Sequence, residues 1–150
     1  MDTPSEIQKS QQSKQNTKVA FIGLGVMGYP MAGHLSTAGY PTTVFNRTTD
    51  KACQWVNDYD GAFESTPALA SKNANIIFMC VGNDDDVRSV VYGENGILAG
   101  AKPGSVLVDH TTTSASLSRE LSERCKEKGV HFLDAPYPGG KPVRKMVSSP

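Results

Sequence analysis

At 150 residues the chain is long enough for one domain, and a chain of that size buries roughly 70% of its unfolded surface. Its 15 basic and 15 acidic residues cancel, which excludes a global field that gathers nucleic acid or an anionic membrane surface. No apolar run approaches a membrane span, the N-terminus lacks the apolar core of a secretory signal, and Cys53, Cys80 and Cys125 lie far apart without a C-x-x-C pair. Neither a disulfide framework nor a metal site is therefore expected, no membrane or nucleic-acid partner is implied, and the cytosol is the default compartment.

In chain order, residues 1–17 are rich in Gln, Ser and Lys and read as a disordered polar tail. From Lys18 onward strand-like and helix-like segments alternate. A first strand at Lys18–Ile22 leads through a glycine turn into a helix over Met27–Thr37 that stops at Gly39. A second strand, Thr42–Phe45, is followed by Asn46-Arg47-Thr48 and a helix starting at Thr49 or Asp50. Ala62-Phe63 is a short third strand, and Ser65-Thr66-Pro67 opens a helix with a hydroxyl cap and a proline in its first turn. Asn75–Val81 is a continuous apolar run, as in a strand covered on both faces. A helix over Asp84–Val91, a fifth strand at Ser105–Asp109, an amphipathic helix over Ser114–Lys128 and a sixth strand at Val130–Leu133 complete the pattern. Such alternation predicts an α/β fold, a doubly wound, mostly parallel sheet with right-handed crossovers.

The chemistry concentrates in Gly23-Leu24-Gly25-Val26-Met27-Gly28, a G-x-G-x-x-G turn between the first strand and its helix. The first glycine allows the tight turn, the second lets the backbone approach a pyrophosphate, and the third lets helix and strand pack closely. The helix start offers free N–H groups and the positive end of its dipole to the anion. At the end of the second strand an acidic residue that accepts bonds from the adenosine ribose would favour NAD. Asn46, Arg47 and Thr48 stand there instead. Asn46 does not repel a 2′-phosphate, Arg47 can clamp it with a planar guanidinium, and Thr48 can donate a hydroxyl bond. The cofactor expected is NADP, with NAD the alternative. On the other reading Arg47 is a solvated loop cation and the threonines serve as a helix cap.

Phe21 to Ala32 resembles the F-I-G-L-G-x-M-G-x-P-M-A pattern of the β-hydroxyacid dehydrogenases, a family that includes 3-hydroxyisobutyrate dehydrogenase, tartronate semialdehyde reductase, glyoxylate/succinic semialdehyde reductase and the coenzyme domain of 6-phosphogluconate dehydrogenase. Phe45-Asn46-Arg47-Thr48 is similar to the NADPH-using semialdehyde-reductase branch, Asp109-His110-Thr111-Thr112 resembles D-x-S-T, and Phe132 to Pro136 with Gly139-Gly140 resembles F-L-D-A-P-V-S-G-G. The resemblance runs from about Thr17 to Gly140. It implies a Rossmann coenzyme domain over residues 18–140, with Cys80, Val81 and Asp85 along the coenzyme and Thr112 near the nicotinamide. It also implies that Thr111, Thr112, Gly139 and Gly140 meet the substrate carboxylate.

Two positions depart from the pattern: Pro138 replaces a serine before the glycine pair, and Val81 stands where a proline often follows the fourth strand. Family members continue into a G-x-x-G-x-G-x-x-x-K helix whose lysine moves a proton, and then into a helical domain. Residues 141–150 form a divergent tail, and neither Lys141 nor Lys145 lies in that pattern, so no catalytic residue is assigned. The expectation is thus the NADP-binding domain of a β-hydroxyacid-dehydrogenase-like oxidoreductase, truncated before the lysine and lacking the C-terminal helical domain, with hydride moving between NADP and a small hydroxy acid or semialdehyde in the complete enzyme. The alternatives are a non-catalytic dinucleotide-binding or partner-binding module, and a non-functional gene fragment.

Overall fold

Six strands pair in parallel in the order β3-β2-β1-β4-β5-β6. The computed structural model describes residues 14–136. Gly139, Gly140, the divergent tail and most of the polar tail lie outside the described residues, although residues 14–16 of that tail form a helical turn. The elements are β1 (Val19–Ile22), α1 (Gly28–Thr37), β2 (Thr42–Phe45), α2 (Thr49–Asp58), β3 (Ala62–Phe63), α3 (Pro67–Ser71), β4 (Ile76–Met79), α4 (Asp84–Val91), α5 (Ile97–Gly100), β5 (Val106–Asp109), α6 (Ala115–Glu127) and β6 (His131–Asp134). The chain builds outward from β1 to β2 and β3, then returns to the other side of β1 with β4. That reversal is the topological switch point at which open α/β sheets bind ligands beyond the carboxyl ends of their strands.

Register puts the switch point in order. Ile22 pairs with Phe45 on one side and Met79 on the other, so Gly23, Asn46 and Cys80 emerge side by side. The ladder runs one step further, with Gly23 N–H donating to Phe45 O and Cys80 N–H to Ile22 O, both at 2.9 Å.

Period-two alternation divides the apolar side chains between two cores. On one face Ile22, Ile77, Met79 and Leu107 pack with Val87 and Val91 of α4 and Leu117 and Leu121 of α6. On the other, Phe21 and Val44 pack with Ala32 of α1 and Ala52 and Trp55 of α2. Trp55 is fully buried against Tyr59, at 5.5 Å between ring centroids, so it is a packing residue.

The helix starts follow their side chains. Thr66 Oγ1 accepts from Leu69 N–H at 3.1 Å ahead of Pro67, and Ser114 Oγ accepts from Leu117 N–H at 3.1 Å. Two expectations are corrected. β4 is fully buried on one face only: Ile77 and Met79 are buried, while Ile76 and Phe78 are half-buried, because α1 and α2 pack over β1, β2 and β3 on that side. The α5 turn was not anticipated, since four residues carry no helical period. Contact with α3 holds it: Ala68 N–H donates to Asn95 O at 2.9 Å, and a Cβ on Gly100 would come within 2.0 Å of Ala68 O.

Candidate functional site: a dinucleotide cleft

The loops leaving β1, β2 and β4 enclose an open cleft of about 440 Å³. Its floor is the glycine turn. Gly23 has φ +103°, and a Cβ there would lie 2.2 Å from Cys80 O, so only glycine fits between the two loops. A Cβ on Gly28 would lie 2.1 Å from Gly23 O, which is the close packing of helix on strand. Gly25 differs: a Cβ there would meet no protein atom within 4 Å, and the residue is exposed to the cleft. The first and third glycines are thus required by the protein itself, and the second leaves room for something else.

The start of α1 points to an anion. Among the described residues no side chain caps it and its first turn holds no acidic residue. Tyr29 N–H donates to Gly25 O at 3.0 Å and Pro30 has no N–H, so the Gly25–Gly28 backbone and the positive dipole end face the cleft. The longer helices elsewhere are treated differently. α4 and α6 are capped by Asn83 and Ser114, and α2 carries Asp50 in its first turn. Val26 and Met27, beside the turn, are 95% and 41% exposed, apolar surface that a ligand in the cleft would cover.

The second wall is Asn46-Arg47-Thr48. Asn46 Oδ1 accepts from Leu24 N–H at 2.8 Å, and its Nδ2 donates to Thr48 O at 3.1 Å. Asn46 therefore ties the glycine turn to the end of β2, a role beyond the absence of charge that the sequence suggested. Arg47 is exposed at the rim, and its Nη2 donates to Asp86 Oδ1 at 3.0 Å.

The third wall comes from the end of β4. Cys80 and Val81 line the cleft. Burial first, and the neighbouring Asp109 second, push the Cys80 thiol up, so it is a neutral wall rather than a nucleophile. Val81 N–H donates to Thr111 Oγ1 at 2.9 Å, and Thr111 N–H donates to Asp109 Oδ1 at 2.8 Å. A relay of three residues thus connects the β5 loop to the cleft wall. Asp109 is fully buried and its Oδ2 has no hydrogen-bond partner among the described residues. Burial pushes its carboxyl up to about 6 against the opposing bonds from Thr111, and Asp134 on β6 adds to the rise.

The structure thus brings Gly23, Leu24, Gly25, Val26, Met27, Gly28, Asn46, Arg47, Thr48, Cys80 and Val81 into one cleft. Asp85 is not part of it: its side chain is 97% exposed and lies 4.0 Å from Arg88 Nη1, and Asp86, one residue on, lines the wall instead. Thr111 is 3% exposed and bonded within the protein, so a substrate does not reach its hydroxyl in this arrangement, while Thr112 beside it is exposed. His110 spends Nδ1 on Ala135 O at 2.7 Å and stacks on Phe78. Sequence reasoning missed Gly82 and Asp86. The signal for Asp86 was the N-cap at Asn83, which fixes the phase of α4 and hence which of three successive aspartates turns inward.

A family profile described as the NAD binding domain of 6-phosphogluconate dehydrogenase matches residues 18–145. The chain belongs to this family. An uncharacterized oxidoreductase of Shewanella frigidimarina is 55% identical over 124 residues, covering 83% of this chain and 43% of that protein. The mitochondrial 3-hydroxyisobutyrate dehydrogenase of Mus musculus is 36% identical over 131 residues, covering 87% and 39%. Among solved structures, the 3-hydroxyisobutyrate dehydrogenase of Mycobacterium tuberculosis with L-serine superposes with a TM-score of 0.72 at 30% identity, covering 80% of this chain and 40% of that one. An imine reductase of Myxococcus stipitatus in complex with NADP+ superposes with a TM-score of 0.70 at 27% identity, covering 78% and 39%. The chain spans about two-fifths of the length of these relatives, in the NAD(P)-binding domain of 3-hydroxyisobutyrate-dehydrogenase-like oxidoreductases. Among the described residues no helix is long and apolar enough to cross a membrane.

Proposed function

We propose that this chain is the NADP(H)-binding portion of an oxidoreductase that moves hydride between the coenzyme and a small hydroxy acid or semialdehyde. The observation that carries the reading is Arg47, exposed at the carboxyl end of β2 on the rim of the cleft into which the uncapped start of α1 opens, with Asn46 rather than an acidic residue beside it. The bound coenzyme supplies the hydride chemistry through its nicotinamide. The chain's residues do the holding. Backbone N–H groups of Gly25–Gly28 bind the pyrophosphate, Arg47 and Thr48 bind the 2′-phosphate, and Asn46 fixes Leu24 so that the turn keeps its shape. Cys80 and Val81 flank the coenzyme, exposed Thr112 serves the nicotinamide and substrate side, and Gly139-Gly140 complete the carboxylate site. Coenzyme binding is the function proposed for these 150 residues. The test is Arg47→Ala in the whole chain. A charged hydrogen bond to phosphate is worth about tenfold or more in affinity, so NADP+ binding weakens by at least that factor and NAD+ binding by less than twofold, read by calorimetric titration. Equal losses for the two coenzymes overturn the 2′-phosphate role.

A further inference from the structure

Arg47 has a partner within the protein. Its guanidinium is held across 39 residues of sequence by Asp86, at 3.0 Å, and both side chains line the same cleft. The aspartate is the fixed member of the pair. It lies in the first turn of α4, its own N–H donates to the capping Asn83 Oδ1 at 2.9 Å, and its Oδ2 rests so close to Gly82 that a Cβ there would come within 2.4 Å. Arg47 is the more exposed member, 72% against 30% for Asp86.

From this we infer that Asp86 is a specificity-determining residue that opposes Arg47, lowering the preference for NADP(H) over NAD(H) that the arginine alone would give. The inference rests on the reading that Arg47 receives the 2′-phosphate. The argument is competition for one cation. A 2′-phosphate that takes the planar fork of Arg47 displaces a carboxylate already bonded to it, and it leaves that carboxylate unpaired beside a second anion. NAD(H) brings no group that requires Arg47, so the Arg47–Asp86 pair persists when it binds. The cost falls on one coenzyme only. An exposed ion pair of this kind is worth about two- to fivefold in an equilibrium, and repulsion between the displaced carboxylate and the phosphate adds to it.

The experiment is a double-mutant cycle on the whole chain, with NADP+ and NAD+ as probes and dissociation constants from calorimetry at low salt. Asp86→Asn keeps the shape and removes the charge. NADP+ binding tightens by roughly three- to tenfold, while NAD+ binding stays within twofold. In an Arg47→Ala background the same change gives a smaller gain for NADP+, the part that repulsion alone supplies. Raising the salt shrinks the effect in the Arg47-containing pair, because exposed charges are screened. Circular dichroism and a thermal melt establish that each variant is folded. Unchanged NADP+ affinity in Asp86→Asn overturns the inference, and so does equal tightening for NAD+, which would make Asp86 a general repulsive charge. A gain undiminished by Arg47→Ala overturns it as well. Failure of the underlying reading looks different: Arg47→Ala then weakens both coenzymes alike, whatever Asp86 does.

Discussion

Along β1 the sheet is buried on both faces, with Val19, Ala20, Phe21 and Ile22 all covered. At the other margin, along β6, Leu133 is 54% exposed and His131 and Asp134 are exposed too. The contrast follows from the crossovers. α1 and α2 lie on one face over β1–β3, and α4 and α6 lie on the other, so cover on the first face thins toward the margin: Phe78 of β4 is half-buried and Leu133 of β6 is exposed, although Val108 of β5 between them is buried. The glycine turn follows β1, the strand closed from both sides, with Arg47 beside it after β2, and exposed Thr112 stands toward the margin. Coenzyme recognition is therefore built on rigid ground, while the proposed substrate-side contacts are not yet enclosed by these residues.

The largest expected effect comes from within the turn. Gly23→Ala forces a side chain at φ +103° into Cys80 O, 2.2 Å away, and is expected to destabilise the chain by about 3 kcal/mol or more. Gly25→Ala meets nothing within 4 Å, so its stability change stays under about 0.5 kcal/mol while NADP+ affinity falls at least tenfold. Thermal melts and titrations on the two variants check the pair. Similar melting losses for both would erase the distinction between a glycine the fold needs and one the ligand needs.

A smaller effect sharpens the other half. Asp109 carries a carboxyl raised to about 6 where an unfolded chain has it near 4, so the folded state holds the extra proton between those values. Its contribution to stability is fully present below about pH 4 and is lost as pH rises through about 6, by at most roughly 3 kcal/mol. Asp109→Asn removes that dependence and keeps an oxygen for Thr111 N–H. Denaturant titrations between pH 4 and pH 8 are expected to show the variant gaining on the native chain as pH rises. A pH-independent gap between the two would contradict the account of Asp109.

Much of this was legible in the sequence because local rules decided it. G-x-G-x-x-G between a strand and a helix has one economical geometry, and Thr66, Asn83 and Ser114 mark helix starts by side-chain chemistry that acts within three residues. β2 and α4 have the bounds that their residues announce, Thr42–Phe45 and Asp84–Val91. What was not legible depends on distant partners. Thr111 and Thr112 look equivalent as letters, yet one turns inward to Val81 and the other outward. Asp85 and Asp86 differ by one step of helical phase, and that step decides which reaches Arg47. Half-burial of Phe78 depends on where α1 and α2 end up, not on the apolar run it belongs to.

The central claim is that the coenzyme is held by the turn after β1 and the end of β2. Amide hydrogen exchange of the whole chain with and without saturating NADP+ tests it most directly. The account predicts slowed exchange at residues 23–28 and 46–48, with no change along β6 at 131–134. Protection confined to β5 and β6, or none at the glycine turn, would contradict it.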